Sequence, residues 1–394
     1  MDFDSTLFPL RPAWVEIDLA RLRNNLRLIR RDLPRHVRLM AVVKDEAYGH
    51  GALDAARIAL EEGAWGFGLS TLEEAMTLRE AGITVPLLLL GERQEAELPW
   101  CVEHDLTVCI NGPHTVRKLA HIAAAHGKRV PVHLKIHTGM SRFGARWDEA
   151  LPLIEQIAAE KSLLLEGVMT HFAQSDETDK TFANLQFSRF KEVLRAMEQR
   201  KIPVKLRHTC NSGGFLDLPH AHLDMVRVGI LMYGVFPSSV CRRIPGIEPV
   251  MSVKARIAAI QKLKPGEVVG YGMRYTAPSE RRIAVLPIGY GDGFPRVRNT
   301  GGALIHGRRA PLIGGIAMDA LMVDITDIPE AQTWDEAVLM GKQGGEEITV
   351  HDIAKLKNSV SYDVLTNWRL RLRRKAVNGK TALAKGKIET VKMA

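Results

Sequence analysis

A closed parallel (β/α)8 barrel followed by a mainly-β domain is the fold class that this 394-residue chain predicts. Two observations carry it. From about Asp18 to Phe236, short apolar runs alternate eight times with amphipathic stretches, the rhythm of parallel strands joined by crossover helices. After Phe236 that rhythm stops, and short strand-like segments follow, punctuated by Gly, Pro and Asp turns. The length by itself also favours two domains.

Taken in order, Trp14–Ile17 reads as a strand and, with residues 11–17, is assigned to the second domain. The barrel strands are then Leu39–Lys44, Gly66–Leu69, Leu87–Leu90, Thr107–Ile110, Val132–His137, Leu165–His171, Leu206–Thr209 and Met225–Val228. Each is a short apolar run of the kind that a sheet covered on both faces requires. Apolar residues spaced by three and four predict helices over Leu19–Arg31, Ala52–Glu61, Leu72–Glu80, Val116–Ala125, Trp147–Ala159 and Phe182–Gln199, with a weaker one near Gly214–Pro219. An open doubly wound sheet is the competitor, but the first strand lacks a glycine-rich dinucleotide turn. Gly270-Tyr271-Gly272 and Gly289-Tyr290-Gly291 do not open helices and carry no weight as nucleotide loops. The second domain's strands are expected within Val250–Leu263, Arg282–Ile288, Gly302–His306, Ala310–Ile316 and Leu321–Ile325. The expected boundaries are 18–236 for the barrel, 237–376 for the β domain and 377–394 for a basic, irregular tail.

Composition excludes several classes. With 46% hydrophobic and 25% charged residues the chain is globular in type. Its longest apolar runs, such as Val85-Pro86-Leu87-Leu88-Leu89-Leu90, are too short to span a bilayer. Met1-Asp2-Phe3-Asp4 lacks a basic-then-apolar signal pattern, so a cytoplasmic protein without a membrane partner is expected. Cys101, Cys109, Cys210 and Cys241 have no paired spacing and read as reduced thiols. The net charge of +9 raises nucleic acid as a partner, but much of the excess sits in Arg369–Lys392. No zinc-finger, RNP or helix-turn-helix pattern accompanies it, so no nucleic-acid partner is expected.

The chemistry gathers at the carboxyl ends of the strands, where barrels place their sites. In Ala41-Val42-Val43-Lys44-Asp45-Glu46-Ala47-Tyr48-Gly49-His50-Gly51 an apolar run delivers Lys44, and Tyr48 and two glycines follow at once. A partly desolvated lysine there is suited to attack a carbonyl. His171 follows another strand, Asn211-Ser212-Gly213-Gly214 a later one, and Arg227 with Gly229 and Ile230 the last. A hydroxyl beside glycine-flanked N–H groups at late strands suits a phosphate. Singly each has a bland reading, the Ser as a cap and the His as a core group. Together, and in order, packing alone does not explain them. His133, Lys135 and His137 alternate on one strand face, yet no third ligand of suitable spacing follows and no metal is expected.

Ala41–Gly51, Lys-Ile-His-Thr-Gly-Met-Ser-Arg-Phe-Gly at Lys135–Gly144, Thr170–Ala173, Asn211-Ser212, Val226–Gly234, Gly270–Thr276, Gly289–Gly293 and Met318-Asp319 resemble, in order, the motifs of the alanine racemases. The likeness runs from about Trp14 to Arg369. It implies a pyridoxal 5'-phosphate enzyme that interconverts L- and D-alanine and supplies D-alanine for peptidoglycan. Lys44 would hold the cofactor and act as the base on one face of the substrate, with Tyr271 on the other. Tyr48, Asn211, Ser212, Tyr362 and the backbone of Gly229 and Ile230 would hold the cofactor and its phosphate. Arg227 would face the pyridine nitrogen, with His171 behind the ring. Arg142, assisted by Met318, would contact the substrate carboxylate, and Lys135 matches a lysine that is carbamylated in many members. Tyr290 and Asp319 would line the entrance. A head-to-tail homodimer is implied, with Tyr271, Met318 and Tyr362 from the second subunit.

Independent reasons fit. Moving a proton between the two faces of Cα needs two acid–base groups. Both lysine and tyrosine have reference pKa values near 10, so nearby cations such as Arg142 would be needed to reach the phenolate. A guanidinium at the pyridine nitrogen weakens the electron sink, which suits a racemase better than a basic-amino-acid decarboxylase. The chain departs from the family pattern at His137 (usually Asp), Asp45-Glu46, Gly291 (often Ala) and Ala320 (often Gln), and in its ending after Leu365. His137 leaves the state of Lys135 open. Racemases of serine, lysine or arginine stay open as well. A cofactor-homeostasis protein would resemble the barrel alone.

Overall fold

The computed structural model describes residues 11–381, so most of the expected basic tail lies outside the described residues. The chain forms two compact units.

One unit, Arg21–Ala47 with Gly51–Glu248, holds the barrel. Its strands are Arg38–Val42, Gly66–Leu69, Leu87–Leu89, Thr107–Ile110, Val130–His137, Leu163–Met169, Leu206–His208 and Met225–Val228. Consecutive strands pair in parallel, and Met225–Val228 pairs in parallel with Arg38–Val42. The ring closes where Asp224 N–H donates to the Arg207 carbonyl (3.0 Å) and Arg227 N–H to the Cys210 carbonyl (2.9 Å). Met40, Leu88, Cys109, Met169, Leu206 and Met225 fill part of its interior. Burying these side chains is the main driving force for the ring.

The helices sit close to where the periodicity puts them. Ala52–Glu61 and Leu72–Glu80 match, and Thr181–Gln199 runs one residue longer. Leu72–Glu80 starts where Thr71 and Glu74 form a capping box. Pro113 and Pro152 stand near the starts of Pro113–Ala125 and Leu151–Ala159, where a missing N–H costs nothing. The expected helix at Trp147 begins only at Leu151, because Ala145–Arg146 makes a short strand with Val130–His137.

The other unit comprises residues 11–20, Tyr48–His50 and Pro249–Lys380. Its large sheet runs Ala259–Leu263, Arg281–Leu286, Leu321–Asp324, Arg308–Ile313, Gly302–Ile305, Glu336–Gln343, Met251–Arg256, Ala13–Asp18 and Arg373–Val377. Val250–Leu263 is therefore two strands, not one. Ala13–Asp18 lies antiparallel to Met251–Arg256 and parallel to Arg373–Val377. The basic run Arg373–Val377 is ordered sheet, four of its five residues inside the expected β domain and Val377 one residue past it. Two helices that the β reading missed, Val350–Lys357 and Ser361–Asn367, follow the last hairpin. Thr349 caps the first through a capping box with Asp352, a signal present in the sequence.

Candidate active site

Lys44 does not end a strand. The strand stops at Val42, and Lys44 opens the turn Lys44–Gly49. Asp45, Glu46, Ala47 and Tyr48 have φ between 51° and 55°, a left-handed helical turn. For L-residues that conformation costs about 1–2 kcal/mol each, so neighbours must hold it. Glu74 does: its Oε1 accepts Asp45 N–H at 2.6 Å, and its Oε2 accepts Ser70 N–H at 2.7 Å and Thr71 N–H at 3.2 Å. Tyr233 donates its hydroxyl to the Val42 carbonyl at 3.0 Å, fixing the strand end. The Lys44 amine is half-buried, and its pKa is lowered by burial and then by Arg142, with Glu74 and Asp45 opposing.

Arg227, only 3% exposed, is fixed by four acceptors. Nη1 donates to His208 Nδ1 at 2.8 Å; Nη2 donates to the Thr170 and Thr209 carbonyls at 2.8 and 3.0 Å and to His171 Nδ1 at 3.2 Å. Burial lowers its pKa to about 10, which still leaves it a cation near neutral pH. Because His208 Nδ1 accepts, its Nε2 carries the proton and donates to His133 Nδ1 at 2.9 Å. His133 Nε2–H then faces Glu166 Oε2 at 3.5 Å, an attraction more than a well-formed hydrogen bond. Burial first, then the Arg227 charge, holds His171 and His208 well below the usual histidine range. This chain of side chains was not legible beforehand: His208 and Glu166 drew no attention in the sequence. The available signal was that His208 and His133 lie on barrel strands that must place them inside.

Lys135, 5% exposed, has its pKa lowered to about 8, chiefly by burial, with Arg142, Arg227 and Lys44 adding to the effect. Its ammonium lies 5.5 Å from the Phe143 ring centre. Arg142 is exposed and, among the described residues, has no hydrogen-bond or ion-pair partner. Its charge nonetheless acts on Lys44, Lys135, His171 and Arg227. The barrel therefore gathers Lys44, Lys135, Arg142, His171 and Arg227 into one electrostatic neighbourhood.

Ser212 Oγ accepts the N–H of Gly229 at 3.1 Å and lies 3.5 Å from that of Leu231, so the late-strand hydroxyl and glycine do meet, with Ile230 buried between these N–H groups. Asn211 also orders this turn. Its Oδ1 already accepts Gly214 N–H (2.9 Å) and the Ser175 hydroxyl (2.8 Å), which makes it the cap that aims Ser212.

Tyr48, Tyr271, Tyr290, Met318, Asp319 and Tyr362 belong to the mainly-β unit. The Tyr48 and Tyr362 rings of the same chain are 6.2 Å apart. That contact corrects the expectation that Tyr362 comes from a second subunit, since Tyr48 follows Lys44 in one turn of this chain. Tyr271 sits between the paired segments Val268–Val269 and Tyr275–Thr276 and is 81% exposed. Met273 and Met318 are exposed too. Tyr290 is half-buried, with the Arg296 guanidinium 5.7 Å from its ring. Asp319 is exposed and pairs with Arg371, which also reaches the buried Asp292 at 3.0 Å. Among the described residues no group of three or more His, Cys, Asp or Glu side chains is placed to hold a metal.

Comparison with known proteins agrees across both units. Residues 17–237 match the family model "Alanine racemase, N-terminal domain" and residues 250–376 match "Alanine racemase, C-terminal domain". The alanine racemase of Carboxydothermus hydrogenoformans is 40% identical over 93% of this chain and 99% of its own. The structure of alanine racemase from D-cycloserine-producing Streptomyces lavendulae superposes with a TM-score of 0.90 at 34% identity, covering 95% of this chain and 98% of that one. A histidine racemase from Leuconostoc mesenteroides gives 0.84 at 28% identity over 94% and 99%.

Proposed function

The chain belongs to the alanine racemase family and is an amino-acid racemase, and from that premise we propose that it interconverts L- and D-alanine with pyridoxal 5'-phosphate, using Lys44 and Tyr271 as its two bases. The observation that carries the reading is the set Lys44, Lys135, Arg142, His171 and Arg227 in one electrostatic neighbourhood of the barrel, with a lowered amine pKa on Lys44. The residues fit the cofactor. Lys44 offers an amine for an aldehyde, the Ser212 hydroxyl, held by the Gly229 N–H, offers a donor for a phosphate, and Arg227 offers a buried cation.

When bound, the cofactor supplies the electron sink that acidifies the substrate's α-proton. Everything else falls to the chain. Arg227 remains a donor to four acceptors and a cation, so it would leave a pyridine nitrogen held against it without a proton, which would weaken the sink. Arg142, with no partner of its own among the described residues, is free to take the substrate carboxylate, with Met318 beside it. Lys44 holds or releases a proton on one face of Cα, and burial and the Arg142 charge lower its pKa toward release. Tyr271 does the same on the other face, supplied with Met318 by the second subunit of a head-to-tail homodimer. The 81% exposure of Tyr271 supports that arrangement. Tyr48 and Tyr362 extend the phosphate contacts, and Tyr290 and Asp319 line the entrance. Lys135, near pKa 8, has enough neutral amine to take up carbon dioxide as a carbamate that would orient Arg142. The four cysteines are free and buried, which suits a reducing cytoplasm where D-alanine for peptidoglycan is made.

A racemase of wider side-chain range is the second reading, favoured by the likeness to a histidine racemase. Two-base chemistry is tested in deuterated water with each alanine enantiomer. Tyr271→Phe should lose racemisation yet still exchange the α-proton of one enantiomer. Exchange of both, or undiminished racemisation, would remove Tyr271 from its role.

A further inference from the structure

His137 stands where the family usually carries Asp, and its ring has a definite job. Its Nδ1 accepts the N–H groups of Gly139 and Ser141, both at 3.2 Å, and its Nε2 lies 3.4 Å from the Ser141 hydroxyl. The three contacts define one state: a neutral ring with a bare Nδ1 and a proton on Nε2, donated to Ser141 Oγ. The loop held this way is the one that carries Arg142. It needs holding, because Ser141 has φ 56°, a left-handed conformation that a non-glycine residue adopts only under restraint. Its start is already anchored: Arg189 donates to the Thr138 carbonyl at 2.8 Å, and Thr138 and Thr170 share a hydroxyl contact of 2.7 Å. Beyond Thr138, the His137 ring is the side-chain anchor that the loop backbone has among the described residues.

We propose that His137 is a positioning residue for Arg142, and that it makes the grip of the Arg142 loop depend on pH where the family's usual Asp would not. The inference rests on the assignment of Arg142 to substrate capture. An imidazolium carries protons on both nitrogens and cannot accept from Gly139 or Ser141, so protonation releases the loop. An Asp carboxylate keeps its acceptors down to far lower pH. The charged groups on the elements around His137 are mostly cations: Lys135 and Arg142 on its own segment, Arg146 on the paired strand Ala145–Arg146, and Arg189 from Thr181–Gln199. The carboxylates on this segment, Asp148, which pairs with Arg146, and Glu149, act on Arg146. The loop therefore loosens as pH falls.

The test is amide hydrogen exchange of the peptide spanning 138–144 in the purified full-length protein without substrate, at about pH 8 and pH 5, corrected for intrinsic rates. Wild type should exchange roughly tenfold faster at the lower pH, the size expected for two lost hydrogen bonds. His137→Asn, whose Oδ1 accepts at every pH, should flatten that difference, and His137→Leu should be unprotected at both. In turnover, His137→Leu should raise KM for alanine more than it lowers kcat, and His137→Asn should restore KM. Equal protection of wild type at both pH values overturns the proposal without any variant having to fold. Because exchange is read without substrate, a failure of the racemase reading would leave this result intact and show only in the turnover arm.

Discussion

Acid should destabilise this protein at a pH where its carboxylates are still ionised. His133 and His208 are both 0% exposed, and the donor directions around them require neutral rings. Burial lowers both pKa values, with the Arg227 charge adding to it and Glu166 partly opposing at His133. Above the reference histidine pKa of about 6.5 neither the folded nor the unfolded chain carries these protons, and nothing is lost. As pH falls through about 6.5 the unfolded chain gains two protons that the folded rings refuse, so folding stability falls. Each ring that stays neutral lowers stability by at most about 1.4 kcal/mol per pH unit, so a pair still neutral at pH 5 costs about 3 kcal/mol between pH 6.5 and 5. That is a large share of a typical folding stability of about 5–15 kcal/mol. His171 and His222 shift in the same direction and can only steepen the loss. Glu166 and Asp224, whose pKa values are lowered by their partners, add losses of the same sign only nearer pH 4 and below. The assay is the urea midpoint of unfolding at pH 7.5, 6.5, 5.5 and 5, for wild type and His208→Gln. The amide can accept from Arg227 and donate to His133, so the variant should fold and lose about half of the pair's slope. A midpoint that stays flat from pH 7.5 to 5.5 would refute the neutral-ring account, as would an unchanged slope in the variant.

Three further perturbations follow. Glu74→Gln should loosen the left-handed turn after Lys44 by about 1–2 kcal/mol and, by removing a charge that raises the Lys44 pKa, shift cofactor loading to lower pH; a pH titration of cofactor absorbance reads both, and an unmoved profile contradicts the assignment. Gly291→Ala restores the family's common residue, but its Cβ would fall 2.8 Å from the Met318 carbonyl oxygen, so thermal unfolding should show a loss of about 1–3 kcal/mol. If the variant is as stable as wild type, the Met318 segment is not packed as tightly as described. Lys135 should give a carbamate signal with labelled bicarbonate near pH 8, absent in Lys135→Ala; no signal at any pH would mean the amine stays free beside His137.

The barrel was readable because its strands are uninterrupted apolar runs at regular intervals, and Gly66–Leu69, Thr107–Ile110 and Met225–Val228 fall where the runs do. The strand end at Lys44 was misplaced for a physical reason. Nothing in Asp45-Glu46-Ala47-Tyr48 announces four left-handed residues, since that conformation depends on tertiary contacts such as the one Glu74 makes to Asp45 N–H and not on local propensity. Val350–Lys357 and Ser361–Asn367 were missed because strand-like texture around them dominated, although the Thr349–Asp352 capping pattern was there to be read. Lys44, Arg142 and Arg227 were singled out through motif order. Their partners His208, Glu166 and Glu74 were not, because side-chain networks across strands leave no spacing in one sequence. The Tyr362 assignment failed for a related reason: which subunit supplies a residue depends on tertiary contact, here with Tyr48.

The central claim is that this site racemises alanine. Its most direct measurement is a coupled assay for D-alanine formed from L-alanine by the purified protein, beside Lys44→Ala and parallel reactions with L-serine and L-lysine. The account predicts fast alanine turnover that disappears in the variant and exceeds that with serine or lysine. Cofactor bound in full with no turnover of any of the three would contradict it.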